Sequence, residues 1–273
     1  MDRLSTLIKH FNLHAATYHK GGFCGVADIA EGNYGHVHLL RSGHLGFRDA
    51  QGQLIELTEP SLVLLIRPLE HQLTATEADE AELVCATLNF EGGANNPLTL
   101  ALPAYIIKPL RELPALHGSL DWLFEEAFGE ECGREVVLNR LFELMVIQLL
   151  RHLIASRSIA SGMMAGLANP RLSRALTGIH NEPQRNWTVA DLAGIATMSR
   201  ASFAAHFRQT VGVTPADYLT NWRISLTQKR LREGRPIALI ADEVGYESPS
   251  ALARTFRRKV GVSPSEWMQR KTL

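Results

Sequence analysis

Two arginine-bearing stretches carry the side chains best suited to chemistry with a polyanion. One holds Arg200, Ala201, Ala204, Ala205 and Arg208; the other holds Ser250, Ala251, Ala253, Arg254, Arg257 and Arg258. Steps of three and four residues place such side chains along one side of a helix. A guanidinium can pair with two acceptors of guanine or grip a phosphate, and methyl side chains let a helix approach base edges closely. A surface of this kind suits double-stranded DNA. The sequence contains no phosphate-binding glycine loop, nucleophile elbow or His-Glu-x-x-His pair, so the pattern argues for binding and against catalysis.

The elements that must position these faces occur twice. Residues 203–218 and 252–267 align at a fixed offset, with Phe207/Phe256, Arg208/Arg257, Val211/Val260, Gly212/Gly261, Val213/Val262 and Pro215/Pro264 in coincidence. In the first copy, Thr188 and Asp191 make a capping box ahead of residues 189–196, and Ser199 caps a second helix. Phe203, Phe207 and Val211 share its buried face. Gly212 stands where the helix needs a left-handed terminator, and Pro215 opens the next helix. In the second copy Pro236, Ser248-Pro249, Gly261 and Ser263-Pro264 repeat the punctuation, with Leu252, Phe256 and Val260 inward. Two short helices joined by a tight turn form a helix-turn-helix, here used twice.

The net charge of zero hides a division. Residues 1–164 hold 12 basic and 20 acidic side chains, whereas residues 165–273 hold 16 basic and 8 acidic ones. The basic share falls on the half with the paired units, as contact with a polyanion requires. Residues 156–170 are rich in small side chains and end in Pro170, the composition of a domain joint. Just before them, Val137, Leu141, Leu144, Met145 and Leu149 recur at helical spacing, so residues 134–155 read as one long amphipathic helix that packs on its own domain or on a second copy. Residues 25–110 instead show short apolar runs at 45–47, 54–57, 62–66 and 83–88 separated by turn signals, the pattern of an all-β barrel or sandwich. An apolar content of 45%, no run long enough to cross a bilayer and no signal-peptide core describe a soluble protein expected in the cytoplasm and away from membranes. Three cysteines do not make a disulfide framework.

Residues 171–273 resemble the DNA-binding domain of the AraC/XylS transcription regulators, through the double unit, the connecting helix near 215–232 and the closing run at 256–264. Residues 1–110 resemble the cupin-type sensor domain of one branch of that family, through His38, residues 60–68, His71, Leu83-Val-Cys85 and Ala101-Leu-Pro103. Within it, Cys24 and residues 187–203 are similar to the reactive-chlorine-responsive regulators. The resemblance implies an α+β multidomain chain: a cupin-like β-barrel sensor at 1–110, a helical extension and possible dimerisation region at 111–157 (134–157 for a homodimer), a flexible linker at 158–170, and an all-α domain with two helix-turn-helix units at 171–273. It implies promoter DNA and RNA polymerase as partners, an activator's role, and recognition helices in successive major grooves. The family's base-reading arginine falls on Arg254. Where the first unit often carries large polar readers, this chain has Ala201, Ala204 and Ala205, leaving Arg200 and methyl contacts.

The same resemblance brings the strands carrying His38, His71 and Cys85 to one barrel interior, with Cys24 as a fourth candidate. Two thiolates and two imidazoles suit tetrahedral zinc or soft copper(I). A hypohalous oxidant would link Cys24 to Cys85 or eject the metal. A small organic effector in the barrel is the alternative signal. A more distant alternative is a metal-dependent cupin enzyme using His36, His38 and His71; against it, the usual cupin glutamate is replaced near Ser42 and Gly43. Cys132, among acidic neighbours, reads as structural, and His36 and His44 as spare ligands.

Overall fold

The computed structural model describes residues 2–30, 32–92 and 96–269, so residues 270–273 of the expected C-terminal domain lie outside the described residues. The chain divides into two compact units. One gathers residues 12–94 and 102–156; the other gathers 1–11, 95–101 and 157–273.

The first unit is a β-barrel with two helices. Its strands are β1 (Leu13–Phe23), β2 (Gly25–Ile29), β3 (Gly35–Ser42), β4 (Leu45–Asp49), β5 (Leu54–Leu57), β6 (Ser61–Leu65), β7 (His71–Ala75), β8 (Ala81–Phe90) and β9 (Ile106–Pro109). They form two antiparallel sheets, in the orders β1-β8-β3-β6-β9 and β2-β7-β4-β5. The side chains between the sheets include Leu45, Phe47, Val63, Leu65, Leu73, Leu83 and Cys85. In β3, β6 and β8 the alternate residues Leu39, Leu62, Leu64 and Val84 are buried too, so these central strands read as continuous apolar runs. A bulge between Thr17 and His19 inserts Tyr18 into the β1–β8 ladder.

Helices α3 (His117–Phe128) and α4 (Arg134–Ser156) complete this unit. Of the face the sequence periodicity predicts, α4 buries Leu141, Met145 and Leu149, whereas Val137 is half-buried and Leu144 is exposed. It also covers the open edge of β1. Asn139 accepts hydrogen bonds from the Thr17 amide at 2.8 Å and the Thr17 hydroxyl at 2.9 Å, and Glu143 accepts from the Ala15 amide at 3.3 Å. An uncovered edge would be a template for aggregation.

The second unit is helical: α1 (Ser5–His10), α2 (Pro97–Leu100), α5 (Gly162–Ala168), α6 (Leu172–Asn181), α7 (Val189–Ile195), α8 (Arg200–Val211), α9 (Pro215–Arg232), α10 (Ile237–Glu243), α11 (Pro249–Val260) and α12 (Pro264–Gln269). The stretch 158–170, expected to be a flexible linker, instead contains α5, with Met163 to Ala168 all buried. Its small residues serve close packing: a Cβ at Gly166 would lie 2.6 Å from Leu176 and 2.9 Å from Val211. Residues 2–11, which sequence proximity places with the strands, pack in this unit as well. Arg3 donates to the Leu167 carbonyl at 2.8 Å, and the rings of His10 and Phe11 meet the edge of Trp222.

Trp222 also lies 4.4 Å from the ring of His180, which is hydrogen-bonded to the Tyr218 hydroxyl at 2.7 Å. Burial, followed by the neighbouring charge on His10, pulls the His180 imidazole down to about 3. Its folded value lies below the unfolded one, so the unfolded chain binds the extra proton as pH falls. The stabilisation is complete above pH 6.5 and drains away toward pH 3, by up to about 1.4 kcal/mol per pH unit. The urea midpoint of the helical unit therefore drops from pH 7 to pH 5, and a His180→Gln variant shows a flatter slope. An unchanged slope in that variant would show that other groups titrate.

Gly212 and Gly261 terminate α8 and α11 at φ +89° and +87°, with open space where a Cβ would stand. Alanine at either position meets backbone strain without a clash, so each substitution costs roughly 1 kcal/mol. Chemical denaturation of the two variants measures it.

Candidate functional site

The paired helix-turn-helix units present two matched helices. Thr188 and Asp191 cap α7 reciprocally, with Asp191 accepting from the Thr188 amide at 2.9 Å. The turn to α8 uses Thr197 in the left-handed region at φ +53°. Ser199 then caps α8 and Ser248 caps α11, each accepting an amide hydrogen three residues on. Phe203, Phe207 and Val211 bury one side of α8, and Leu252 and Phe256 one side of α11. The opposite sides carry what the sequence assigned to them. Arg200, Ala201, Ala205 and Arg208 are exposed on α8, with Ala204 half-buried; Ser250, Arg254, Arg257 and Arg258 are exposed on α11, with Ala251 and Ala253 half-buried. Ser202 and Gln209 are exposed on α8 as well, polar groups outside the sequence selection.

The two faces differ chemically. On α8 the middle of the helix is methyl groups between Arg200 and Arg208. On α11 three arginines stand within five residues. Among the described residues, Arg200, Arg208, Arg254, Arg257 and Arg258 make no ion pair with a carboxylate, so their donors stay available to a polyanion. Lys259 is engaged instead, 3.3 Å from Asp217.

The barrel assembles a second arrangement. Cross-strand register sets His19, Cys85 and His38 side by side on β1, β8 and β3. His71 reaches them from the other sheet, with its Nε2 2.9 Å from Nε2 of His38. The Nδ1 of His71 lies 2.8 Å from the Leu69 carbonyl, which only accepts. Neutral His71 therefore carries its proton on Nδ1 and offers a lone pair at Nε2, and His38 donates to it. The Tyr18 hydroxyl, displaced by the bulge, lies 3.5 Å from Nδ1 of both His36 and His38. The His36 and His38 rings stack at 6.0 Å.

Burial sets the charge state of this cluster. It lowers His36 to about 4, with help from His71, and holds His38 far below the ordinary imidazole range. His71 is lowered for the same reason, against the opposing bond to Leu69. Burial pushes the Cys85 thiol up to about 12, partly relieved by its hydrogen bond with Tyr18. The groups are neutral near pH 7, and the Nε2 atom of His19 is buried without a partner.

The fold brings His38, His71 and Cys85 together, and it adds Tyr18, His19 and His36. It does not bring Cys24. That residue follows Phe23, which pairs with Ala81, whereas Cys85 pairs with His19. Five residues of strand separate Cys24 from His19, about 16 Å. A disulfide needs Cα atoms within roughly 7 Å, so the expected Cys24–Cys85 pair and the expected four-ligand set are not assembled here. Cys24 and Cys132 are exposed, and Cys85 is buried. Cys24 lines an open cleft of about 610 Å³ with Glu77, Glu80 and Glu82. Among the described residues, no three His, Cys, Asp or Glu side chains group as ligands for a metal ion. Tyr18 and His19 escape a sequence reading because the bulge, which turns the hydroxyl of exposed Tyr18 and the ring of His19 toward the same cluster, leaves no pattern in the residue types.

Comparison with known proteins agrees with both halves. A cupin family model matches residues 2–155, and a helix-turn-helix domain model matches residues 192–270. An AraC-like transcription regulator of Streptomyces antibioticus is 38% identical over 71% of this chain; the match spans 65% of that relative's length, less than two thirds of it. The regulator AlkR of Acinetobacter baylyi is 30% identical over 86% of this chain and 79% of its own. The RCS-specific transcriptional activator RclR of Escherichia coli is 29% identical over 85% and 84%. Among the described residues, no helix is long and apolar enough to cross a membrane. The chain belongs to the AraC family of helix-turn-helix transcription regulators, in the group whose N-terminal domain is a cupin.

Proposed function

We propose that the chain binds promoter DNA sequence-specifically through α8 and α11 and activates transcription under control of a metal-linked or oxidant signal received at the barrel. The observation that carries the DNA reading is the repeated unit, with one capped helix in each copy showing small residues and unpaired arginines outward. Helices of this kind enter major grooves one helical turn apart, about 34 Å, and approach from one side of the duplex. Arg254 reads a base edge, and Arg200 with the methyl groups of α8 makes the first unit's base contacts; Arg208, Arg257 and Arg258 secure the backbone. RNA polymerase is the partner through which activation acts. Trp122, Val136 and Leu144, exposed on α3 and α4, give a second copy of the chain an apolar surface to meet.

The His38–His71 pair supports the signal reading. Two imidazole nitrogens 2.9 Å apart, one with its lone pair fixed, suit a zinc or copper(I) ion once His38 surrenders its Nε2 proton. Tyr18 would then accept from Nδ1 of His38, and Cys85 is the thiol at hand. His38, His71 and Cys85 are the residues that would hold such an ion, whose charge would favour the Cys85 thiolate. The name of the Escherichia coli relative directs attention to reactive chlorine species as the oxidant. Cys24 and Cys132 are the exposed thiols such an oxidant can reach, and Cys24 is the one on the barrel. A small organic effector is the alternative signal: the cavity beside Phe47 and Tyr105, about 30 Å³, has room for about one water, whereas the open cleft beside Cys24 measures about 610 Å³.

Two measurements test these readings. Arg254→Ala weakens binding to the chain's own operator by about 1–3 kcal/mol while leaving random DNA unaffected; an equal loss on both would restrict Arg254 to phosphate contact. Chain purified anaerobically carries about one equivalent of zinc or copper. Cys24→Ser retains it and His71→Ala loses it. Metal retained in His71→Ala would remove the histidine pair from the site.

A further inference from the structure

Arg223 is a buried arginine that touches none of the surfaces described above. It lies on α9, the helix between the two helix-turn-helix units, and is 9% exposed. Its Nε donates to the Pro183 carbonyl at 2.7 Å and its Nη2 to the Arg185 carbonyl at 3.0 Å. Both carbonyls belong to the loop leading into α7. That loop is fixed in turn: the Trp187 indole donates to the Glu182 carbonyl at 2.9 Å, and its ring packs 3.3 Å from where a Cβ would stand on Gly178 of α6.

The other side of the same guanidinium faces the second unit. Its centre lies 5.5 Å from the Tyr246 ring, in the turn between α10 and α11. Thr255, on α11 itself, hydrogen-bonds the Tyr246 hydroxyl. The neighbouring Gly245 has φ +80°, and a Cβ there would stand 2.4 Å from the Gln184 carbonyl oxygen and 2.8 Å from Nη2 of Arg223. The loop before the first unit and the turn of the second therefore meet with no room for a methyl group. The guanidinium fork sits at the junction.

We propose that Arg223 is a positioning residue that fixes the separation of α8 and α11, and with it the spacing between the two DNA segments the chain accepts. This rests on the DNA-binding reading. A planar fork with several donors holds two carbonyls and an aromatic face at once, whereas a lysine supplies one point of attachment. With the fork removed, each unit keeps its own caps and apolar core, and the hinge between them along α9 is released.

Selection of bound duplexes from a random-sequence pool tests it, using the full chain. Wild type enriches two-part sites at one separation, close to a helical turn. Arg223→Lys and Arg223→Met enrich the same two half-sites over a spread of separations. Their affinity for the best wild-type site falls about tenfold, the loss expected when the second half-site no longer arrives pre-aligned. Circular dichroism and thermal unfolding establish that each variant is folded; should the methionine variant fail, the lysine variant decides. Tyr246→Phe, which removes the link to Thr255, spreads the separations less. A folded Arg223→Lys chain that keeps the single separation and wild-type affinity overturns the inference and leaves DNA binding intact. A wild-type chain that enriches no motif overturns the DNA-binding reading and this inference with it.

Discussion

Everything in the helical unit depends on burying α9 on nearly all sides. Tyr218, Leu219, Trp222, Ile224, Leu226 and Leu231 are buried along it, and so are Arg223, Thr227, Gln228 and Lys229. A helix apolar all round is usually a core element; here polar groups are buried as well, so each needs a partner. Thr227 returns its hydroxyl to the Arg223 carbonyl at 2.8 Å, Lys229 reaches Glu233 at 3.7 Å, and Arg223 takes the loop carbonyls. Those demands dictate what surrounds the helix. α8 packs Phe207 against Tyr218, α12 sets Trp267 beneath Arg232, and the N-terminal residues close over Trp222. The exposed faces of α8 and α11 are the sides left over.

The barrel solves the opposite problem. Its interior holds titratable side chains that it keeps neutral. Three histidines depressed by burial and one thiol raised by it form a cluster with hydrogen bonds but no net charge near pH 7. An uncharged cluster offers no fixed positive charge to an organic acid. Tyr18 ties this cluster to β1, and Asn139 ties β1 to α4 at Thr17, the residue next to Tyr18. A change at the histidines therefore has a short covalent and hydrogen-bonded route to the helix that covers the sheet edge.

How much of this was written in the residue types varies with the range of the interaction. The helical half was legible because its signals are local: Thr188 with Asp191, Ser199, Gly212, Pro215 and their second-copy equivalents each act within four residues, and each does in the structure what its chemistry predicts. The strands were legible in outline, since apolar runs between turn residues survive any tertiary context. Long-range facts were not. Cys24 and Cys85 were paired by type, and only the register of β1 on β8 shows that five residues of strand part them. The linker at 158–170 was misread because small residues serve flexibility and close helix packing equally well. Only the neighbours, Leu176 and Val211, distinguish the two uses. His19 and Tyr18 depend on a bulge, and Arg223 on a loop forty residues away; neither leaves a periodic trace.

The asymmetry between α8 and α11 would give the proposed junction its purpose. In the proposed complex, methyl groups at Ala201, Ala204 and Ala205 would supply shape and thymine contacts, each worth far less than a bidentate arginine pair at about 1–3 kcal/mol. On its own, α8 would add little discrimination. Presented at a fixed distance from an arginine-bearing α11 already in its groove, it reaches its base pairs at a high effective concentration, and weak contacts then add to strong ones. A flexible connection would spend that advantage on conformational freedom. A chain whose first unit would read DNA through methyl groups thus has more need of a fixed spacing than one with large polar readers in both units, and the buried guanidinium between the two units is the group proposed to supply it.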